Sequence, residues 1–169
     1  MQNYASRQVP IVHCSTEIMA SFDAFTREFE RLAGRFEPSQ LHGVSSADET
    51  RDKIQAMQGE QGLMIFAKLD HGFLFALDGK AGKAFRYHVG NPLIAYTMTR
   101  HDIRAALYAP LTLIVFEVEP NTARVEFDLP SSLFGSFGNP EIGRIGLQLD
   151  DKLKVLIDKA AQFAAQGAR

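Results

Sequence analysis

Several marks of common function classes are missing from this 169-residue sequence. It has a single cysteine, Cys14, so an intrachain disulfide and a Cys-x-x-Cys redox or zinc site are both excluded. A lone thiol fits a reducing cytoplasm, and Cys14, in the apolar-leaning stretch 9–14, reads as a small buried hydrophobe rather than a reactive nucleophile. No apolar run approaches the about 18 residues that a membrane span needs, and residues 1–15 carry one arginine and no stretch of signal-peptide type. The expectation is an untargeted cytoplasmic protein with no membrane partner. Positive charge is not in excess: 18 Lys and Arg face 20 Asp and Glu, a formal charge of -2 with no long block of one sign. Nucleic acid, which demands a basic footprint, is therefore not an expected partner. The five histidines, His13, His42, His71, His88 and His101, form no His-x-His and no i,i+4 pair, and there is no Gly-x-x-x-x-Gly-Lys phosphate loop. No metal is expected, and the cofactor is left unknown.

What is present is the composition of an ordinary globular domain, 46% hydrophobic and 22% charged. The length suits one core, expected over residues 9–165, with short tails at 1–8 and 166–169. Residues 9–14 are β-branched and short, a first strand with Pro10 near its start. Phe22, Phe25, Phe29 and Leu32 recur at helical spacing, with Ser21 as N-cap and Gly34 as a stop. Residues 37–45 read as a loop. Ser46 and Glu49 then form a capping-box pattern opening a short helix to about Gln58, whose thin apolar face, Ile54 and Met57, suggests a surface position.

From Gly62 the period shortens. Residues 63–67 and 73–77 are apolar runs joined by Asp70-His71-Gly72, the simplest account being two adjacent strands. A further strand, 85–89, stops at Gly90-Asn91-Pro92, and 93–108 looks helical with Ile94, Met98 and Ile103 inward and an interruption at 99–102. Residues 111–118 form the strongest strand, followed by a strand at 123–127 that alternates Ala123, Val125 and Phe127 with Arg124 and Glu126. The Ser-, Gly- and Phe-rich stretch 128–140 reads as irregular, and the chain closes with a helix from about Pro140 to Ala165. Gly90-Asn91-Pro92 and Gly138-Asn139-Pro140 read as two independent helix starts with Pro near the first position.

Five stretches occur in a fixed order: Asp70-His71-Gly72; Tyr87-His88-Val89-Gly90-Asn91-Pro92; Leu107-Tyr108-Ala109-Pro110-Leu111 leading into Ile114-Val115-Phe116-Glu117; Asp128-Leu129-Pro130-Ser131; and Leu149-Asp150-Asp151-Lys152-Leu153. Together they resemble domain-of-unknown-function family 302, a small bacterial and archaeal α+β domain, over nearly the whole chain from about Val9. The sequence departs in its longer stretch before Leu63, including the capped second helix, which the shortest members lack. The resemblance implies a single, largely antiparallel sheet with helices packed against it, the α+β class that the element order also suggests, and a homodimer. It implies no activity, because fold alone does not give function.

Candidate site residues follow from chemistry at exposed or turn positions. His71, between Asp70 and Gly72, is either a turn histidine or an imidazole oriented by a carboxylate toward a ligand. Of Tyr87 and His88, one must face the core. Gly90 and Asn91 are explained by turn and cap mechanics, or alternatively by an anion at the Pro92 helix start. Glu117, in an apolar strand, should be terminal, paired or functional. If His71 and Glu117 share a cleft, they form an acid and base pair. Tyr108, Asp128 and Ser131 could rim the same pocket, and a loop carrying Phe134 and Phe137 should expose at least one ring. The leading expectation is a cytoplasmic, homodimeric small-molecule-binding protein whose pocket is bordered by His71, Asn91 and Glu117, with Asp70, Gly90, Tyr108, Asp128 and Ser131 as further contacts. The alternatives are an enzyme using His71 and Glu117 on a small polar substrate, and an interaction module built on the Phe134 to Phe137 loop.

Overall fold

The structure is a computed structural model and describes residues 4–167. Six strands form one sheet in the order β1-β6-β5-β4-β3-β2: β1 (His13–Ile18), β2 (Gly34–Arg35), β3 (Met64–Asp70), β4 (Ala84–Gly90), β5 (Leu111–Glu119) and β6 (Thr122–Asp128). Every pairing is antiparallel except that of β2 with β3, so the sheet is mixed by one two-residue edge strand. The helices are α1 (Phe22–Leu32), α2 (Ala47–Ala56), α3 (Pro92–Thr99), α4 (Pro130–Gly135) and α5 (Pro140–Gln166). None of the described helices is long and apolar enough to cross a membrane.

Alternation decides which face of the sheet is covered. Leu111, Leu113 and Val115 of β5 and Ala123, Val125 and Phe127 of β6 are buried in the core with Phe25 and Phe29 of α1 and Leu149, Leu153 and Leu156 of α5. Each such phenylalanine or leucine contributes about 1.5–3 kcal/mol by leaving water. Arg86, Thr112, Ile114, Phe116, Arg124 and Glu126 occupy the opposite face, and none of them is buried. Ser21 caps α1 by accepting from Ala24 N, as its position predicts. The strands at 85–89, 111–118 and 123–127 and the terminal helix agree with the sequence reading within two residues.

Elsewhere the fold corrects that reading. The first strand is displaced to His13–Ile18, because its partner β6 offers register positions from Asp128 to Ala123 and the prolyl nitrogen of Pro10 has no proton to donate. Residues 73–77 are not a strand: β4 takes the place beside β3, and Gly72–Asp78 winds as a 3-10 helix, leaving Phe73 65% and Leu77 84% exposed. The helix α3 stops at Thr99; Asp102 accepts from Arg104 N to open a 3-10 segment (Ile103–Tyr108), and Ile103 is 74% exposed rather than inward. The helix α2 does not merely lie on the surface, since Ile54 and Met57 are buried with Met64 in a second, smaller core that Phe36 and Phe66 complete. Its Ser46 cap accepts from Glu49 N, while the Glu49 carboxylate accepts from Ser45 N rather than Ser46 N. Residues 130–135 are helical, and Phe134 is fully buried while Phe137 packs half-buried against Tyr108. The exposed ring expected of that loop is therefore absent, and the interaction reading loses its premise there.

Candidate functional site

Two of the sequence stretches meet at one cavity. β4 ends at Gly90, and α3 starts with Pro92 at its first position, where a missing N–H costs nothing. Asn91, 5% exposed, uses its whole side chain: Oδ1 accepts from Leu93 N (2.8 Å) and Ile94 N (3.4 Å), and Nδ2 donates to Gly62 O (2.7 Å). Gly90 lies against the Ala109-Pro110 segment; a Cβ there would come within 3.3 Å of Pro110 Cβ and 3.6 Å of Phe66 Cε2. The Ala109-Pro110 peptide is cis. Between these segments is a cavity of about 90 Å³, bounded by Gly90, Asn91 and Pro92 on one side and Ala109, Pro110 and Leu111 on the other. Phe66, Met98, Phe134 and Leu149 close it with apolar atoms. Across Ile94 and Leu149, which line both spaces, is a polar cleft of about 250 Å³ between α3 and α5, edged by Arg100, His101, Arg144 and Lys152.

The other predicted residues are distributed differently. Asp70 Oδ1 accepts from Gly72 N (2.7 Å) and so shapes the turn into the 3-10 segment. His71 follows it, its backbone N donating to Ala84 O, and its ring lines none of the described cavities. Glu117 faces Lys83 across 3.5 Å and likewise lines none of the described cavities. Tyr108 stacks obliquely on Phe137 and edge-on against Phe134. Ser131 gives its N–H to the buried carboxylate of Asp150 (2.8 Å), which fixes α4 on α5. Tyr87, not His88, faces the core; burial pushes its phenol far above the ordinary value, and its hydroxyl donates to Glu30 (2.7 Å). His88 lies on the opposite face, where partial burial and then Arg86 hold its pKa below the ordinary value.

A cluster that local motifs do not reveal lies on the uncovered face. His13 Nδ1 is 2.8 Å from Asp128 Oδ1, its Nε2 is 3.2 Å from Glu126 Oε2, and Ser15 donates to the other Glu126 oxygen. Asp128 thus belongs to this cluster rather than to the cavity. Among the described residues, no group of three His, Cys, Asp or Glu side chains is arranged to hold a metal.

The sequence profile of the family described as Domain of unknown function DUF302 matches residues 41–160. The chain belongs to the DUF302 family. A solved structure similar in fold is that of an uncharacterized conserved DUF302 protein from Bacillus stearothermophilus, 14% identical, with a TM-score of 0.61 over 88% of this chain and 97% of that one. No curated protein matches the sequence. All residues lining the apolar cavity and the polar cleft fall inside the DUF302 span, whereas His13 and Ser15 precede it.

The two carboxylates at His13, Asp128 first, raise its pKa above the ordinary 6.5 by accepting from the imidazolium. A raised folded value means that this contribution to stability is fully present below pH 6.5 and is lost as pH rises through the folded value. Urea midpoints followed from about pH 5 to about pH 9 should therefore fall slightly in this DUF302 protein and not in its His13→Gln variant, relative to their common background. The effect is small because the ring is 59% exposed and screened by water. An identical pH profile in the variant would show that the cluster contributes nothing.

Proposed function

We propose that this DUF302 protein binds a small molecule, an apolar part of which is seated in the cavity where Gly90-Asn91-Pro92 meets Ala109-Pro110-Leu111. The observation that carries the reading is convergence: two stretches on which the family resemblance rests border one space otherwise closed by apolar side chains. The cavity offers burial rather than hydrogen bonding, since the polar atoms of Asn91 are already engaged by backbone groups. Apolar cavities of this kind stay dry and admit small apolar molecules. Asn91 and Gly90 then frame the pocket, while His71 and Glu117 have no part in it. A cytoplasmic setting accords with the lone thiol.

Thermal unfolding with linear alcohols from butanol to octanol tests this. At about 100 times its dissociation constant, a bound alcohol raises stability by about 2.7 kcal/mol. Ala95→Leu, which adds carbons into the cavity, should abolish the gain while remaining folded. No gain from any of the series would sink the reading.

Self-association is a second reading with its own observation. Phe73, Leu74, Phe75 and Leu77 of the 3-10 segment are all exposed, an apolar grouping of the sort that subunit contacts cover. Sedimentation equilibrium should give a dimer that Phe73→Ser with Leu77→Ser converts to monomer. A wild type that remains monomeric at high concentration removes this reading.

A further inference from the structure

We infer that the ligand carries an anionic head, a carboxylate or a phosphate monoester, received by the cleft between α3 and α5; this rests on the apolar-cavity reading above. The cleft and the cavity share Ile94 and Leu149 as walls, and the inference places the head of a molecule whose short tail occupies the cavity beside these two residues. What the head would meet is decided by helical spacing. Ile94 and Thr97 lie three apart on α3, Arg100 caps its C-terminus and His101 follows in the turn, and Glu141, Arg144 and Lys152 lie with Leu149 on the facing stripe of α5.

Positive charge there is in excess. Three permanent cations line the cleft against one carboxylate, in a chain whose formal charge is -2. Arg144 shares its charge with Glu141 at 3.1 Å. Among the described residues Lys152 Nζ donates only to a carbonyl, Gln61 O, at 2.9 Å, and no carboxylate is paired with it. The Arg100 guanidinium and the His101 ring have no hydrogen-bond or ion-pair partner among the described residues. The negative end of the α3 dipole explains why two basic residues sit at its close. It does not explain why Arg144 and Lys152 line the same space from another helix, whose own positive end opens nearby. Like charges gathered around one cleft repel, and an anion placed among them relieves that repulsion while accepting charge-assisted hydrogen bonds. An amphipathic anion satisfies both spaces at once, its tail leaving water beside Phe66, Met98 and Phe134 and its head remaining at the exposed rim.

Calorimetric titration of the full chain with octanol, octanoate, octyl phosphate and octylamine tests the inference. Octanoate and octyl phosphate are expected to bind at least about tenfold more tightly than octanol, with octylamine weaker than all three. The pair Arg100→Gln and Lys152→Gln should abolish the preference, octanoate binding no more tightly than octanol to the same variant. Arg100→Gln alone, at an exposed position that preserves the Lys152 bond to Gln61, should give part of that loss and does not depend on the double variant folding. Octanoate binding no more tightly than octanol, with octanol still excluded by Ala95→Leu, overturns the anionic head and leaves the apolar cavity standing. Binding of neither overturns both.

Discussion

Alanine at position 59 is expected to destabilise the protein by about 3 kcal/mol or more, close to the limit of what a single methyl group does. A Cβ at Gly59 would overlap backbone on three sides, the nitrogen of Gly34, the carbonyl oxygen of Leu32 and the carbonyl carbon of Ala33. The converse holds at Gly34, whose Cβ would overlap the carbonyl of Met57 and the nitrogen of Gly59. Both glycine nitrogens donate to the same acceptor, Leu63 O, at 3.0 Å from Gly34 and 3.2 Å from Gly59. The ends of α1 and α2 are thus pinned to the start of β3 through a single carbonyl, and neither chain can withdraw without losing its bond. At Gly59 the backbone has φ -99, which alanine adopts freely, so the cost is one of space and not of conformation. Equilibrium urea unfolding of Gly59→Ala measures it. Gly143→Ala in α5 is the control, because a Cβ there meets nothing within 4 Å, and helix propensity alone should raise stability by up to about 1 kcal/mol. A loss at position 59 below about 1 kcal/mol would mean that the two chains separate at little cost. The consequence reaches the candidate site, since the turn after Gly59 presents Gln61 O to Lys152 and Gly62 O to Asn91.

The elements legible in the sequence are those whose period is carried by their own residues. Phe22, Phe25 and Phe29, the alternation through β6 and the long apolar stripe of α5 each declare one buried face, and each is buried as read. Residues 73–77 failed because an unbroken apolar run has no period, and what decides between strand and 3-10 turn is the presence of β4 beside β3. The helix α4 was hidden because it is fixed by Asp150 from 19 residues away rather than by a residue before it. Gly34 reads as a helix stop, but Ala33 caps α1 and Gly34 opens β2, and its partner Gly59 gives no local sign of the close approach. The same separation governs the site. Gly90 and Asn91 were legible as turn and cap, and their neighbourhood with Pro110 was not. Arg100 and His101 at the close of α3 and Arg144 and Lys152 on α5 are each visible in the sequence, yet only the packing of the helices brings them to one cleft. His13 meets Asp128 across 115 positions, a distance no motif spans.

Asn91→Ala is expected to cost about 1.5–5 kcal/mol, the sum of two losses that the second Gly-Asn-Pro allows one to separate. The first is the cap: Oδ1 satisfies Leu93 N and Ile94 N at the start of α3, and removing such a cap costs about 0.5–2 kcal/mol. The second is the bond from Nδ2 to Gly62 O, made at a nearly buried residue, whose loss leaves a carbonyl unpartnered at about 1–3 kcal/mol. Asn139 makes the same cap with Glu141 N (2.9 Å) and Ile142 N (3.4 Å) at the start of α5. Its Nδ2 has no acceptor among the described residues, so Asn139→Ala should show only the cap loss, about 1 kcal/mol. The difference between the two alanine variants in urea unfolding therefore measures the bond to Gly62. Asn91→Asp sharpens the comparison, because a carboxylate keeps the cap and suits the helix start but opposes the Gly62 oxygen with negative charge. It should fall nearer to Asn91→Ala than to wild type. Equal losses at positions 91 and 139 would show that the bond to Gly62 contributes nothing. In that case the cavity wall at Gly90 would not depend on the turn at 59–63, and ligand-induced stabilisation should survive in Asn91→Ala; if the bond does hold the turn in place, octanol stabilisation should weaken in Asn91→Ala and persist in Asn139→Ala.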